Sequence, residues 1–427
     1  MKIAKRLATA AISLWATSFL AFVVGAAAPG DPARMRVGLT GDAAPNTDFE
    51  KRYLAARREL DLDLPLFYLS VVPASFPDTF ERVVFDRRSL VCWLWQFGDW
   101  DGVWNYYRAV KNTPVQNDED LYLQKALLSP NPAIETAIAR GRFFDAVAAW
   151  NDLKRNAKRW RNFVPKIYFH GFRCRYHRWL TGRTPSFRDF RPVGEKLREA
   201  FVRTLIPASA ALFLGCALGL ATAIRTVGRP RRYARVQSLC LGLYSLPTFW
   251  TATILTTVLA GGVWSVLPTH GWRSTGITPE ASLWTQTTDV ATHLILPIVC
   301  LTYPIWAFWT LQFQENLRQE WSRPYVLAAR AWGMDDKRIL VPMTLKNAAA
   351  PAVALAAASL PAVLAGSMVV ETFFALPGMG LLAYESVIYR DYPVLSAVFT
   401  LSAAVAQTAN LLADLMIKKI LVDSKIV

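Results

Sequence analysis

Acidic residues are scarce in this chain of 427 residues: 32 Asp and Glu stand against 48 Lys and Arg, and charged residues of both signs make up only 19%. The five cysteines show no metal-ligand or redox spacing, and His293 has no second His or Cys at ligand spacing. There is no His-Glu-x-x-His, no glycine-rich loop with a following Lys for ATP, and no nucleophile elbow. These absences leave the chain without a candidate catalytic, cofactor-binding or metal-binding residue. The net charge of +16 raises the question of nucleic acid, but the basic residues fall between apolar runs and not along one soluble face.

What is abundant is apolar surface: 53% of residues are hydrophobic. They gather in six stretches, at 7–28, 201–224, 236–263, 290–313, 348–370 and 393–417. Each is near the roughly 20 residues that cross a bilayer as helix. Lys and Arg collect in short cytoplasmic loops, which orients the chain. Lys2, Lys5 and Arg6 precede the first stretch, Arg225, Arg229, Arg231, Arg232 and Arg235 follow the second, Arg318 to Lys346 follow the fourth, and Lys418, Lys419 and Lys425 follow the sixth. Six spans with both termini cytoplasmic satisfy all four clusters. The first stretch also fits a secretory signal, with its basic start and Gly25-Ala26-Ala27-Ala28. Charge alone does not separate the two readings.

On this topology residues 29–200 lie outside the cytoplasm. Within them, 140–178 carry eleven Lys or Arg against two acidic residues, which long translocated segments tolerate. The interval reads as helical, with apolar faces from Trp93, Trp95, Trp100, Trp104 and Trp150. Gly98 to Val103 and Gly141 to Val147 are loosely alike and resemble the openings of helix-hairpin repeats. Cys92 and Cys174 are the two cysteines placed to pair; the other three sit in apolar runs.

The gap between the fourth and fifth stretches carries the most specific pattern. Ser322 and Pro324 start a helix, Tyr325 to Trp332 supply two turns, and Gly333 ends them in a left-handed cap. Asp335 then opens a second helix through Ile339 and Leu340. The small Ala328, Ala329 and Gly333 either admit a partner surface or merely ease packing. Elsewhere, Glu371 and Glu385 either face a solute path or cap helices in water, Asp414 is placed to meet Lys418 one turn on, and Pro247, Pro297, Pro304 and Pro361 can kink their spans.

The run Tyr325-Val326-Leu327-Ala328-Ala329-Arg330-Ala331-Trp332-Gly333, with Leu345-Lys346-Asn347-Ala348 and Pro351, resembles the signature loop of permeases in binding-protein-dependent ABC importers. Pro29-Gly30-Asp31-Pro32-Ala33, Arg58 to Leu66, Val370 to Gly380, and Arg390-Asp391-Tyr392-Pro393-Val394 are similar to landmarks of the dipeptide, oligopeptide and nickel branch, in order. Leu327, Met343 and Lys346 depart from the general motif, and the ending at Ile420 to Lys425 departs from the branch. The first landmark directly follows the first stretch, which implies a retained span.

The resemblance implies an all-α membrane protein with six transmembrane helices of the type I ABC importer permease fold. It implies a first helix over 1–28, an extracytoplasmic region over 29–200 with a helical insertion at about 72–178, and a five-helix core over 201–427. The loop at about 318–347 would couple to an ATPase through Tyr325, Ala328, Ala329, Arg330, Gly333 and Met334. Glu371, Pro377, Gly378, Gly380, Arg390, Asp391 and Tyr392 would form the outer gate and loop. Implied partners are a second homologous permease, two ATP-binding subunits, an extracytoplasmic solute-binding protein and the lipid bilayer. No cofactor is expected in this chain; ATP and Mg would sit on the partners. An ion-coupled secondary transporter would need mid-membrane carboxylates, and a membrane-anchored extracytoplasmic binding module would use only the polar interval.

Overall fold

The computed structural model describes residues 2–37, 47–83, 85–261, 264, 266–278, 280–345, 356 and 367–424. The chain divides into two compact units, one of Met1–Gly30 with Pro185–Val427 and one of Asp31–Thr184. The first begins with α1 (Lys2–Ala27), an apolar helix with no acidic residue in its first turn.

The Asp31–Thr184 unit is mainly helical: α2 (Pro32–Val37), α3 (Thr47–Glu59), α4 (Arg87–Phe97), α5 (Trp100–Asn112), α6 (Asp118–Leu127), α7 (Ile134–Ala139), α8 (Phe144–Arg155) and α9 (Arg175–Leu180). Its caps are written in the sequence. Gly98 takes φ +70° and returns its N–H to Leu94, ending α4, and the Asp99 carboxylate then accepts the Gly102 N–H to start α5. Trp93, Tyr106 and Trp150 meet edge to face or tilted, with centroids 4.9 to 6.2 Å apart. Leu90, Leu94, Val103, Val110, Leu127 and Leu153 close this core around them. The two Trp-bearing stretches opened by Gly98 and Gly141 therefore become α5 and α8, which pack on one another.

A two-stranded antiparallel ribbon was outside the helical reading of this interval: β1 (Leu69–Pro73) pairs with β2 (Pro165–Phe169). Each strand is only five residues long and neither keeps a clean alternation of burial, so they do not stand out beside the helical Trp pattern. His170 pins the ribbon's end, its Nε2 2.8 Å from Ser70 Oγ and its Nδ1 3.3 Å from Asp78. The order Ser–His–Asp is that of a nucleophilic relay. Ser70, however, sits mid-strand opposite Tyr168, and Asp78 is half-exposed, so the bridge serves to fasten the ribbon to the 3-10 turn at Asp78–Arg82. Cys92 and Cys174 are both free thiols.

The rest of the first unit holds α10 (Val193–Thr226), α11 (Pro230–Ser245), α12 (Thr248–Thr256), α13 (Leu283–Trp321), α14 (Pro324–Ala331), α15 (Asp336–Ile339), α16 (Met379–Ile388) and α17 (Tyr392–Ser424). Helices α1, α10, α13 and α17 are each long and apolar enough to cross a membrane. At 39 residues, α13 runs about 58 Å and extends beyond a hydrocarbon core of roughly 30 Å. Pro297 and Pro304 stay within it.

The third apolar stretch is not one straight span. Helix α11 stops at Ser245, Pro247 takes an extended backbone, and the chain turns through 86° into Thr248–Gly261. Proline removes a ladder donor and disfavours helix in the residue before it, which here breaks the span outright. The described residues thus hold four spans, or five if the bent pair is one. Most of the fifth stretch, with Pro361, and Lys346, Asn347, Ala348 and Pro351 of the signature pattern lie outside the described residues.

Helix α10 meets α13 through a stripe of small residues: Ala211, Gly215, Gly219 and Ala223 recur every fourth residue, one face of a helix. A Cβ on Gly219 would stand 2.9 Å from Trp309 Cβ, and one on Gly215 would stand 2.5 Å from Ile305 Cγ2. Small residues let apolar helices approach in lipid, where burial alone drives little. Gly219→Val should therefore cost about 1–3 kcal/mol, read as a lower thermal midpoint of the detergent-solubilised protein; an unchanged midpoint would mean the contact relaxes. Helix α1 lies along α17, where Gln407 donates to Ser13 Oγ at 2.9 Å and Arg6 pairs with Asp414 at 2.5 Å. Asp414 thus finds its partner on another helix, whereas the side chain of Lys418 lies outside the described residues.

Candidate functional site

The stretch after α13 folds as a self-supporting elbow. Pro324 occupies the first turn of α14, where its missing N–H costs nothing. At the other end the Met334 N–H reaches the Ala329 carbonyl at 3.1 Å and the Gly333 N–H reaches Arg330 at 2.9 Å. With Gly333 at φ +80°, this is a Schellman cap. Helix α15 returns beneath it, and the chain continues as a π-helical turn over Leu340–Leu345.

The elbow has a small core of its own: Val326, Ala329 and Ile339 are buried, with Trp321, Tyr325, Met334 and Met343 around them. Tyr325 donates to Glu320 at 2.9 Å, and the Arg330 guanidinium lies over Trp321 and contacts Asp336 at 3.2 Å. Of the two alanines marked by the sequence, Ala329 faces inward and only Ala328 is presented to the outside. The outward face of α14 is apolar instead of charged. Leu327 and Ala331 stand one turn apart on it, as do Ala328 and Trp332, with Leu327 58% and Trp332 83% exposed.

A second constellation centres on Glu371, which is buried. Helix α16 begins at Met379, and its N-cap residue Gly378 has no side chain to serve the first-turn N–H groups. Two distant residues serve them. Thr204 Oγ1, from α10, accepts the Met379 N–H at 2.7 Å and donates to Glu371 Oε1 at 2.7 Å. Glu371 Oε2 accepts the N–H groups of Gly380 at 2.6 Å and Leu381 at 3.1 Å. Glu371 is thus a helix cap, as one sequence reading had it, but a buried one and not one in water. Gly378 is required by this approach, since a Cβ there would lie 2.5 Å from both Glu371 Cδ and Thr204 Oγ1. Pro377 sits just before it.

The other end of α16 closes on Asp391. Arg390 takes φ +54°, and the N–H groups of Arg390 and Asp391 return to Val387 and Ser386 in a second Schellman arrangement. The buried Asp391 carboxylate accepts the Ser186 hydroxyl at 2.5 Å and the Phe187 N–H at 3.0 Å. Lys196 reaches Ser186 at 3.1 Å and Asp189 at 2.9 Å. Burial alone would raise the Asp189 carboxyl, but hydrogen bonds from Lys196 and Ser186 hold it below its ordinary value. That tie is complete near neutral pH and is lost as acid protonates Asp189. Arg188 pairs with Glu385 at 2.5 Å and lies over the Tyr389 ring, and Tyr392 reaches the Pro29 carbonyl at 3.4 Å. Thr204, Ser186 and Lys196 were not marked by the sequence; a hydroxyl inside an apolar helical run is the one signal that could have marked Thr204.

His293 is buried in α13 with Nδ1 2.8 Å from the Asp289 carbonyl, and no cluster of three or more His, Cys, Asp or Glu fit for a metal occurs among the described residues.

Residues 215–421 match the family described as binding-protein-dependent transport system inner membrane component. The oligopeptide transport system permease protein AppB of Bacillus subtilis is 29% identical over 252 residues, covering 56% of this chain and 77% of that protein. The dipeptide transport system permease protein DppB of Escherichia coli K12 is 28% identical over 253 residues, covering 56% and 73%. The peptidoglycan transport system permease protein YejB of Agrobacterium fabrum is 30% identical over 175 residues, covering 40% of this chain and 48% of that protein.

Proposed function

This chain belongs to the permeases of binding-protein-dependent ABC importers, in the dipeptide and oligopeptide branch, and from that premise we propose how it is oriented, powered and partnered. It is a multi-pass transmembrane subunit that moves peptides or a related small solute, and the family draws its energy from separate ATPase subunits. In our reading both termini are cytoplasmic, the Asp31–Thr184 unit lies on the outer side, and the elbow at 322–345 docks into the ATP-binding subunit. A second permease subunit completes the pathway, and an extracytoplasmic binding protein delivers the solute.

The observation that carries this reading is the elbow: a rigid, capped helix whose own core is closed, yet which presents Leu327 and Trp332 outward. Exposed apolar side chains on a self-supporting element mark a docking face. Residues Ala328, Arg330 and Gly333 shape it, and Tyr325, Ala329 and Met334 hold it from within. Glu371, Pro377, Gly378, Gly380, Arg390, Asp391 and Tyr392 would frame the outer gate, as the loop carrying α16. An ion-coupled mechanism is not favoured by Glu371, because its carboxylate is already engaged by Thr204 and two backbone N–H groups. ATP and Mg are assigned to the partner subunits.

Orientation is tested by impermeant thiol labelling of intact cells in a Cys92→Ser background. Tyr122→Cys should label from outside and Arg231→Cys only after permeabilisation; the reverse pattern sinks the topology. The importer assignment is tested by co-purification with the ATP-binding subunit and by ATP-dependent peptide uptake into proteoliposomes. Uptake driven by an ion gradient without ATP would overturn it.

A further inference from the structure

Among the described residues, one face of the β1–β2 ribbon is left largely uncovered. The register sets Leu69 opposite Phe169 and Val71 opposite Ile167, so all four side chains share a face. Their exposures are 55%, 77%, 67% and 67%. The chain entering and leaving β2 adds more of the same, with Trp160, Phe163 and Phe172 all largely exposed. The other ribbon face behaves as sheet faces usually do, since Tyr168 reaches the Phe76 carbonyl and Ser70 reaches His170. An apolar patch of this kind on a ribbon is a binding surface, and a two-stranded ribbon has little stability of its own to spend on display.

The charges around it select the occupant. Lys158 and Arg159 precede β2 and Arg173 follows it, all exposed, and none has a carboxylate at ion-pair distance among the described residues. Aromatic and aliphatic tips flanked by unpaired cations match the boundary between anionic headgroups and acyl chains. The connection also favours a membrane: only Ala28, Pro29 and Gly30 separate α1 from this unit. We propose that the Leu69–Phe169 face of the ribbon is a lipid-binding surface that inserts into the headgroup region of an anionic bilayer, with Lys158, Arg159 and Arg173 on the phosphates. The proposal depends on the chain being membrane-embedded and not on which side this unit lies.

The test uses the full chain, Cys92→Ser, with a spin label at Phe169→Cys or, as a control, at the exposed Tyr122→Cys. It is reconstituted in nanodiscs of phosphatidylcholine alone or mixed with phosphatidylglycerol, and collisions with oxygen and with a nickel chelate are measured. The oxygen-to-nickel ratio at position 169 should exceed that at 122 by several-fold in the anionic discs. Combining Arg159→Glu with Arg173→Glu should bring it down toward the control while leaving the spectrum at 122 unchanged. Equal nickel access at both positions in both lipids would overturn the proposal. So would immersion indifferent to phosphatidylglycerol and to the charge reversals. Shielding of 169 that arises only when the second permease or the solute-binding protein is added would assign the face to a protein.

Discussion

Replacing Glu371 with alanine should destabilise the membrane unit by about 3–5 kcal/mol, a large fraction of the roughly 5–15 kcal/mol that holds a typical domain folded. The carboxylate is buried and accepts hydrogen bonds from the Thr204 and Ser367 hydroxyls and from the Gly380 and Leu381 N–H groups. Removing it strands two backbone N–H groups at the start of α16 and a hydroxyl on α10. The local N-cap residue, Gly378, has no side chain to take over that role. In a thermal scan of the detergent-solubilised protein the midpoint should fall by on the order of 10 °C. Glu371→Gln keeps the shape and part of the acceptor capacity, so its loss should be markedly smaller. Gly378→Ala separates sterics from hydrogen bonding. Its φ of −102° suits any residue, so damage there would come from the Cβ forcing Glu371 and Thr204 apart. An Glu371→Ala protein that melts with the wild type would show that water replaces the carboxylate, and the cap would not be structural.

This constellation shows where reading a sequence stops. Glu371 could be marked as an ionisable group next to a span, but Thr204 lies 167 residues away and Ser186 lies 205 residues from Asp391. Pairings of that kind leave no periodicity to find. Local chemistry is far more legible: Pro324 and Gly333 bound α14 within a residue of their expected positions, and Gly98 and Gly141 both take the positive φ that precedes a new helix. Apolar length is legible too, and Pro247 is marked as able to kink its span, but proline alone does not separate a full break, as at Pro247, from one that a helix absorbs, as at Pro297 and Pro304. The inward turn of Ala329 was hidden for another reason. On a two-turn helix either face can be the core, and only Ile339 and Met334, brought back by the Schellman turn, decide that Val326 and Ala329 are inside.

That decision changes how coupling is tested. If α14 docks on the ATP-binding subunit, the residues that make the contact are those on its outer face, with Trp332 and Leu327 at its centre. Trp332→Glu and Leu327→Glu place a charge in a desolvated interface without touching the elbow's own core, and an unpaired charge there costs several kcal/mol. Each variant should insert and melt normally, yet reduce co-purification of the ATP-binding subunit and solute-stimulated hydrolysis by at least about tenfold, the equivalent of 1.4 kcal/mol. Ala329→Glu should fail differently, because it drives a carboxylate between Val326 and Ile339 and unfolds the elbow. Gly333→Ala should be milder than either: a Cβ there meets nothing within 4 Å, so only the left-handed backbone is strained, by roughly 1–2 kcal/mol. The ranking matters more than any single value. A docking face predicts that Trp332→Glu is severe and leaves the elbow folded, while a loop whose role is only structural predicts that Ala329→Glu is severe and Trp332→Glu is silent. Should Trp332→Glu and Leu327→Glu both retain assembly and stimulated hydrolysis, the elbow is not the coupling element and the docking proposal fails.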